Sequence, residues 1–164
     1  MRPTPDVAGP HQDSVWAYPR PAVAEPSARH IRIGHRGLVV ADTPAAIRTL
    51  ETSHPPSYYL PPSDVRIAML QRSAHRSFCE WKGQAIYYDV KIAGEVLADV
   101  AWSYPDPRPE FAILRNHIAF YAVPFDICLV DGERVVPQPG GFYGGWITSD
   151  LAGPFKGVPG SRFW

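Results

Sequence analysis

Two cysteines, two methionines and three lysines are all that a chain of 164 residues holds of these types. Cys79 and Cys128 fall in strand-like runs without a signal-peptide core in the first thirty residues, so the expectation is two reduced thiols in a cytoplasmic protein. No Cys-x-x-Cys or His-Glu-x-x-His spacing occurs, which argues against a zinc site of the common kinds; no metal is expected, and the residues assign no cofactor. No apolar run approaches the length of a membrane span. No basic run stands out either, and 16 Lys and Arg are cancelled by 16 Asp and Glu. That balance counts against nucleic acid or an anionic membrane as partner, because both select clustered positive charge.

What the chain has in quantity is proline, glycine and aromatic residues: 19 prolines, 13 glycines and 12% Phe, Trp and Tyr. This mixture favours short strands joined by rigid turns. The expected fold is mainly β, a compact antiparallel β-sandwich or barrel, with a mobile tail at 1–13 and a single domain at 14–164. Two short helices are expected near 44–52 and 63–71. The first has Thr43 as cap and Pro44 in its first turn, and the second has Ser63 as cap and Asp64 behind it.

Hairpins are expected at Ile31–Asp42 around Gly37, at Phe78–Ile92 around Lys82-Gly83-Gln84, and at Ile127–Val135 around Asp131-Gly132. A further one is expected from Phe111–Leu114 and Ile118–Val123. Along 85–92 the period-two pattern turns Ile86, Tyr88, Val90 and Ile92 inward, with Tyr87, Asp89 and Lys91 outward.

Several spaced blocks carry a family resemblance. They include Leu50-Glu51-Thr52-Ser53-His54-Pro55-Pro56 with Tyr58-Tyr59-Leu60-Pro61-Pro62, Cys79-Glu80-Trp81-Lys82-Gly83, and Ala101-Trp102-Ser103-Tyr104-Pro105. Pro137-Gln138-Pro139-Gly140, Gly144-Gly145-Trp146-Ile147-Thr148 and Gly153-Pro154-Phe155-Lys156-Gly157 extend it. Together these blocks resemble the bacterial family known as domain of unknown function 427, over nearly the whole chain after Ser14. The resemblance implies a largely β domain, associated with the Mss4-like, tent-shaped folds. A nucleotidyltransferase label is sometimes attached to that family. This chain has no glycine-serine phosphate loop and no acidic pair spaced to hold two metal ions, so that chemistry is not carried over. The zinc-binding cysteine pairs of many Mss4-like folds are absent as well.

The scarce lysines are the sharpest clue to chemistry. Lys82 and Lys156 recur in matching contexts, Trp81-Lys82-Gly83 and Phe155-Lys156-Gly157, in a chain that otherwise uses arginine. An amine can lose its proton or attack a carbonyl, which guanidinium cannot do; the plainer reading is a cation flanking a glycine turn. On an ideal strand Glu80 shares a face with Lys82, as a salt bridge or an acid–amine dyad. Cys79 reads as a small buried hydrophobe or as a nucleophile activated by His54, and His54 as a general base or a capping residue. The catalytic candidates are therefore Lys82, Glu80, His54 and Cys79.

The glycine-rich loop 140–146 would lid a flat ligand against Tyr58, Tyr59, Trp81, Trp102 or Tyr104, or else be a turn pinned by ring packing. With Glu51, Tyr143, Trp146 and Lys156, these residues form the expected ligand-binding set. Three functions compete. One is an enzyme acting on a small organic ligand in an aromatic-walled polar pocket through a Glu/Lys acid–base pair. Another is a non-catalytic module binding a ligand or peptide. The third is a structural protein, a homo-oligomer sealed by Trp16 and Phe163-Trp164.

Overall fold

The computed structural model describes residues 1–164, and its strands run in chain order as β1 (Asp13–Ser14), β2 (Val23–Pro26), β3 (Ile31–His35), β4 (Leu38–Thr43), β5 (Ile47–Leu50), β6 (Ser57–Leu60), β7 (Leu70–Cys79) and β8 (Gly83–Ile92). They continue as β9 (Glu95–Ser103), β10 (Ile118–Phe120), β11 (Ile127–Val130), β12 (Glu133–Arg134), β13 (Val136–Pro137), β14 (Trp146–Ile147) and β15 (Leu151–Ala152). Two sheets dominate: a seven-stranded one ordered β2-β5-β6-β10-β9-β8-β7 and a four-stranded one ordered β12-β11-β3-β4. Every pairing within them is antiparallel. Neither closes into a barrel, and the architecture is sandwich-like.

Alternation explains why they pack. Ile31 and Ile33 of β3 and Val40 of β4 meet Tyr58, Leu60, Val90, Ile118 and Phe120 of the larger sheet in one buried cluster. Trp146 plugs that core, 1% exposed, with its indole N–H donated to the Phe120 carbonyl at 3.0 Å. Burial in this core pushes the Cys128 thiol up to about 12, and both cysteines are free.

Three hairpins follow local turn chemistry. Arg36-Gly37, Ala93-Gly94 and Asp131-Gly132 all have positive φ at both residues, the condition of the tight turns that match strand twist. The hairpin at Gly83 differs by a residue or two from expectation: β7 and β8 pair down to Cys79 opposite Gly83, so Glu80, Trp81 and Lys82 form the turn.

The helix expected near 44–52 is a strand. Ile47–Leu50 is paired on both sides, to β2 and to β6, and alternates Ile47 and Thr49 against Arg48 and Leu50. Thr43 does accept from the Ala45 amide at 3.0 Å, but its hydroxyl goes to Asp64 at 2.7 Å, and the span before Pro55 is too short to pay for a helical nucleus. The helix expected near 63–71 is reduced to two 3-10 turns, Pro62–Asp64 and Ile67–Met69, before β7 begins at Leu70. The hairpin expected from Phe111–Leu114 is likewise corrected. Pro109–Leu114 is 3-10 in character and buries Phe111 and Leu114, three apart, on one side. No helix is long and apolar enough to cross a membrane.

The inward and outward sides of β8 also need correction, because both faces of the larger sheet are covered in places. Tyr87, expected outside, is buried in a second cluster with Tyr59, Trp102, Tyr104 and Phe111. That second face holds the site.

Candidate functional site

On the outer face of the larger sheet, strand register lines up one row of side chains. Ile47 sits opposite Tyr59, Tyr59 opposite Ala119, Ala119 opposite Trp102, and Trp102 opposite Tyr87. Facing residues two apart on these strands join them, so Tyr104 and Tyr121 extend an aromatic floor. Trp102 lies 4.7 Å from Tyr121 and 6.2 Å, edge to face, from Tyr59. Its indole N–H donates to the Tyr59 hydroxyl at 3.2 Å. At the far edge Ser77 and Tyr87 share a hydrogen bond of 2.9 Å. Burial raises the Tyr59 and Tyr104 phenols far into alkaline solution, so both stay neutral hydroxyls.

A cavity of about 480 Å³ opens over this floor. Loop 139–145 forms its opposite wall, and glycine lets that wall approach. A side chain at Gly144 would run into the Trp102 ring, and one at Gly145 would come within 2.6 Å of the Pro55 carbonyl. The tip is less constrained: Phe142 is 77% exposed at the cavity mouth.

The turn that follows β5 supplies the polar end. The His54 amide donates to the Glu51 carbonyl at 3.0 Å, and between them Ser53 takes a left-handed φ of 72° while completely buried. The turn brings Nε2 of His54 to 3.3 Å from the Glu51 carboxylate. Behind it lies Gln138, 5% exposed. Its Oε1 accepts the Gly145 amide at 3.0 Å, so Nε2 is the atom that faces His54 Nδ1 at 3.0 Å and the Lys156 carbonyl at 3.0 Å. An amide nitrogen only donates, so Nδ1 accepts and the proton of the imidazole sits on Nε2, on the side of Glu51.

Both nitrogens of His54 are thus engaged, and the ring orients Glu51 instead of offering a free base. Burial would raise the Glu51 carboxyl, but the hydrogen bond from His54, with the charges of Lys82 and of Arg20 3.8 Å away, holds it below the ordinary value. Lys82 enters from the β7–β8 turn, its ammonium 5.7 Å from the centre of the Phe111 ring. Burial opposes its charge, while Tyr59 and Cys79, once ionised in alkaline solution, and the Glu51 carboxylate favour it, and the balance lies above the ordinary lysine value. Lys82 is therefore a cation, not the proton-free amine considered from sequence. Lys156 goes the other way, lowered by burial and by Arg20; it lies over the Tyr143 ring at 5.6 Å and donates to the Trp164 backbone oxygen at 3.3 Å.

Of the residues singled out from sequence, Glu51, His54, Tyr59, Cys79, Lys82, Trp102, Tyr104, Tyr143 and Lys156 meet around this cavity. Others do not. Tyr58 and Trp146 lie in the core between the sheets, their rings 5.8 Å apart. Trp81 is half-buried beside the second cluster without lining the cavity. Glu80 is exposed on the turn and forms no ion pair with Lys82, because the two stand in a turn where strand alternation does not apply. Gln138, Tyr87 and Tyr121 were not anticipated. Tyr121 shares the parity of Ala119, but nothing around Pro137-Gln138-Pro139 announces a buried amide.

A family model described as a domain of unknown function (DUF427) matches residues 23–131. The matched span contains Glu51, His54, Lys82 and the aromatic floor, whereas Gln138, the glycine-rich loop and Lys156 follow it. No curated protein matches the chain.

Proposed function

Since the chain belongs to the family described as domain of unknown function 427, we propose its function from the cavity: it binds a flat organic molecule over the outer face of the larger sheet, with Glu51 and Lys82 meeting the polar end. The supporting observation is the convergence of Tyr59, Trp102 and Tyr104 with Glu51 and Lys82 on one space of about 480 Å³, the size of a small-ligand site.

A catalytic reading is favoured by one specific arrangement. A carboxylate whose orientation is set by the His54–Gln138 pair is placed to take a proton from an acidic position, its lowered pKa making it a weak base, and an adjacent ammonium suits stabilising the charge that develops. The acid–base pair is then Glu51 and Lys82, not Glu80 and Lys82. We assign the protein to the cytoplasm, where two free thiols persist.

Native mass spectrometry of wild-type protein and Glu51→Gln from the same culture tests both parts. The expected result is a bound organic molecule that differs between the two, unconverted in the variant. The same mass at the same occupancy in both would leave binding without chemistry.

A further inference from the structure

The two lysines that line the cavity are unequally satisfied. Lys156 spends a donor on the Trp164 oxygen. The Lys82 ammonium has no carboxylate within 4.0 Å and no hydrogen bond to the protein, although it is half-buried and lines the cavity. Three donors there lack a protein acceptor. Glu51, the nearby carboxylate, already faces His54 Nε2 at 3.3 Å.

We propose that the ligand is an aromatic carboxylate, its ring lying against Trp102 and Tyr121 and its carboxylate received by Lys82. The inference rests on reading the cavity as a small-molecule site and adds the class of ligand. A single negative charge fits better than a phosphate. Only the Lys82 ammonium is without a protein acceptor, the Glu51 carboxylate repels a dianion more strongly than a monoanion, and neither an arginine fork nor a helix N-terminus faces the space. The floor of Tyr59, Trp102, Tyr104 and Tyr121 presents rings whose faces and edges suit a planar partner. Glu51 adds a preference for a hydrogen-bond donor elsewhere on the same molecule and disfavours a second anionic group.

Three probes separate the components: indole-3-carboxylate, indole-3-carboxamide of the same shape without charge, and cyclohexanecarboxylate, charged without a flat ring. Dissociation constants are taken at pH 7 from amide and indole N–H shifts in the full chain. For wild type, the aromatic carboxylate is expected to bind at least ten-fold tighter than the carboxamide and than the alicyclic acid. In Lys82→Gln, with Lys82→Met as a second neutral variant, the carboxylate preference is expected to vanish while carboxamide affinity holds.

Equal binding of the two indoles to wild type overturns the carboxylate assignment and leaves the small-molecule site standing. Equal binding of cyclohexanecarboxylate overturns the aromatic part. A preference that survives in both neutral variants overturns the role of Lys82. Failure of both indoles to shift any cavity resonance overturns the site itself. The wild-type comparison decides the ligand class even if neither variant folds.

Discussion

The side-chain amide of Gln138 donates to Nδ1 of His54 at 3.0 Å, and this bond fixes which way the imidazole proton points. Because Oε1 of the same amide holds the Gly145 N–H, the glycine-rich wall, the His54 ring and the Glu51 carboxylate form one connected unit. Nitrogen NMR of the His54 ring is expected to show the Nε2–H tautomer. Gln138→Met should turn it into a mixture and leave the Gly145 amide unpaired, at a cost of about 1–3 kcal/mol in urea unfolding. An unchanged tautomer in the variant would contradict the relay.

Ser53 pins that unit from beneath. It holds a left-handed φ of 72°, and its hydroxyl is buried without a partner. Ser53→Gly removes both penalties and is expected to be neutral or stabilising by up to about 1 kcal/mol. Ser53→Val places a β-branched residue where such residues are outliers and should cost about 2 kcal/mol or more. Equal unfolding midpoints for the two variants would show that the turn is not strained.

The contact between Gly144 and Trp102 makes the opposite wall equally sensitive. Gly144→Ala puts a methyl group into the indole, and the loop or the ring must move. The expected loss is about 1–3 kcal/mol, with a changed near-ultraviolet circular dichroism from the displaced tryptophan. Gly141→Ala meets no neighbouring atom but sits at φ 71°, so its cost should come from backbone strain alone and leave that spectrum unchanged.

Glu51 gives a pH signature. Burial pulls its carboxyl up, the His54 hydrogen bond and nearby cations pull it further down, and the folded value lies below 4.5. A depressed carboxyl contributes stability that is present above its unfolded value and lost as pH falls through the folded one. The advantage of wild type over Glu51→Gln in unfolding free energy should therefore be steady at neutral pH and shrink on acidification below 4.5. An advantage that grows there would mean the carboxyl is raised instead.

Much of the sheet was legible because its turns are local. Asp131-Gly132 and Arg36-Gly37 need only their own backbone to announce a hairpin. Ile47–Leu50 was not legible, since its strand character comes from β2 and β6 on either side and overrides a helix-start signal at Thr43-Pro44. The same limit governs the site. Tyr58 and Tyr59 are neighbours of one type, and only the sheet decides that Tyr59 faces the cavity while Tyr58 faces the core. Lys82, rare in composition, and Glu51 were both visible, but not as neighbours: the sequence paired Lys82 with Glu80, because Glu51 follows a strand that the local signals read as a helix.

The indole N–H resonances of Trp102 and Trp146 provide the most direct measurement, since one ring floors the cavity and the other is sealed between the sheets. Titrated with indole-3-carboxylate and assigned by Trp102→Phe, the Trp102 signal is predicted to shift in a saturable way while Trp146 stays in place. A Trp102 signal unmoved by a ligand that shifts resonances elsewhere would contradict the cavity as the working site.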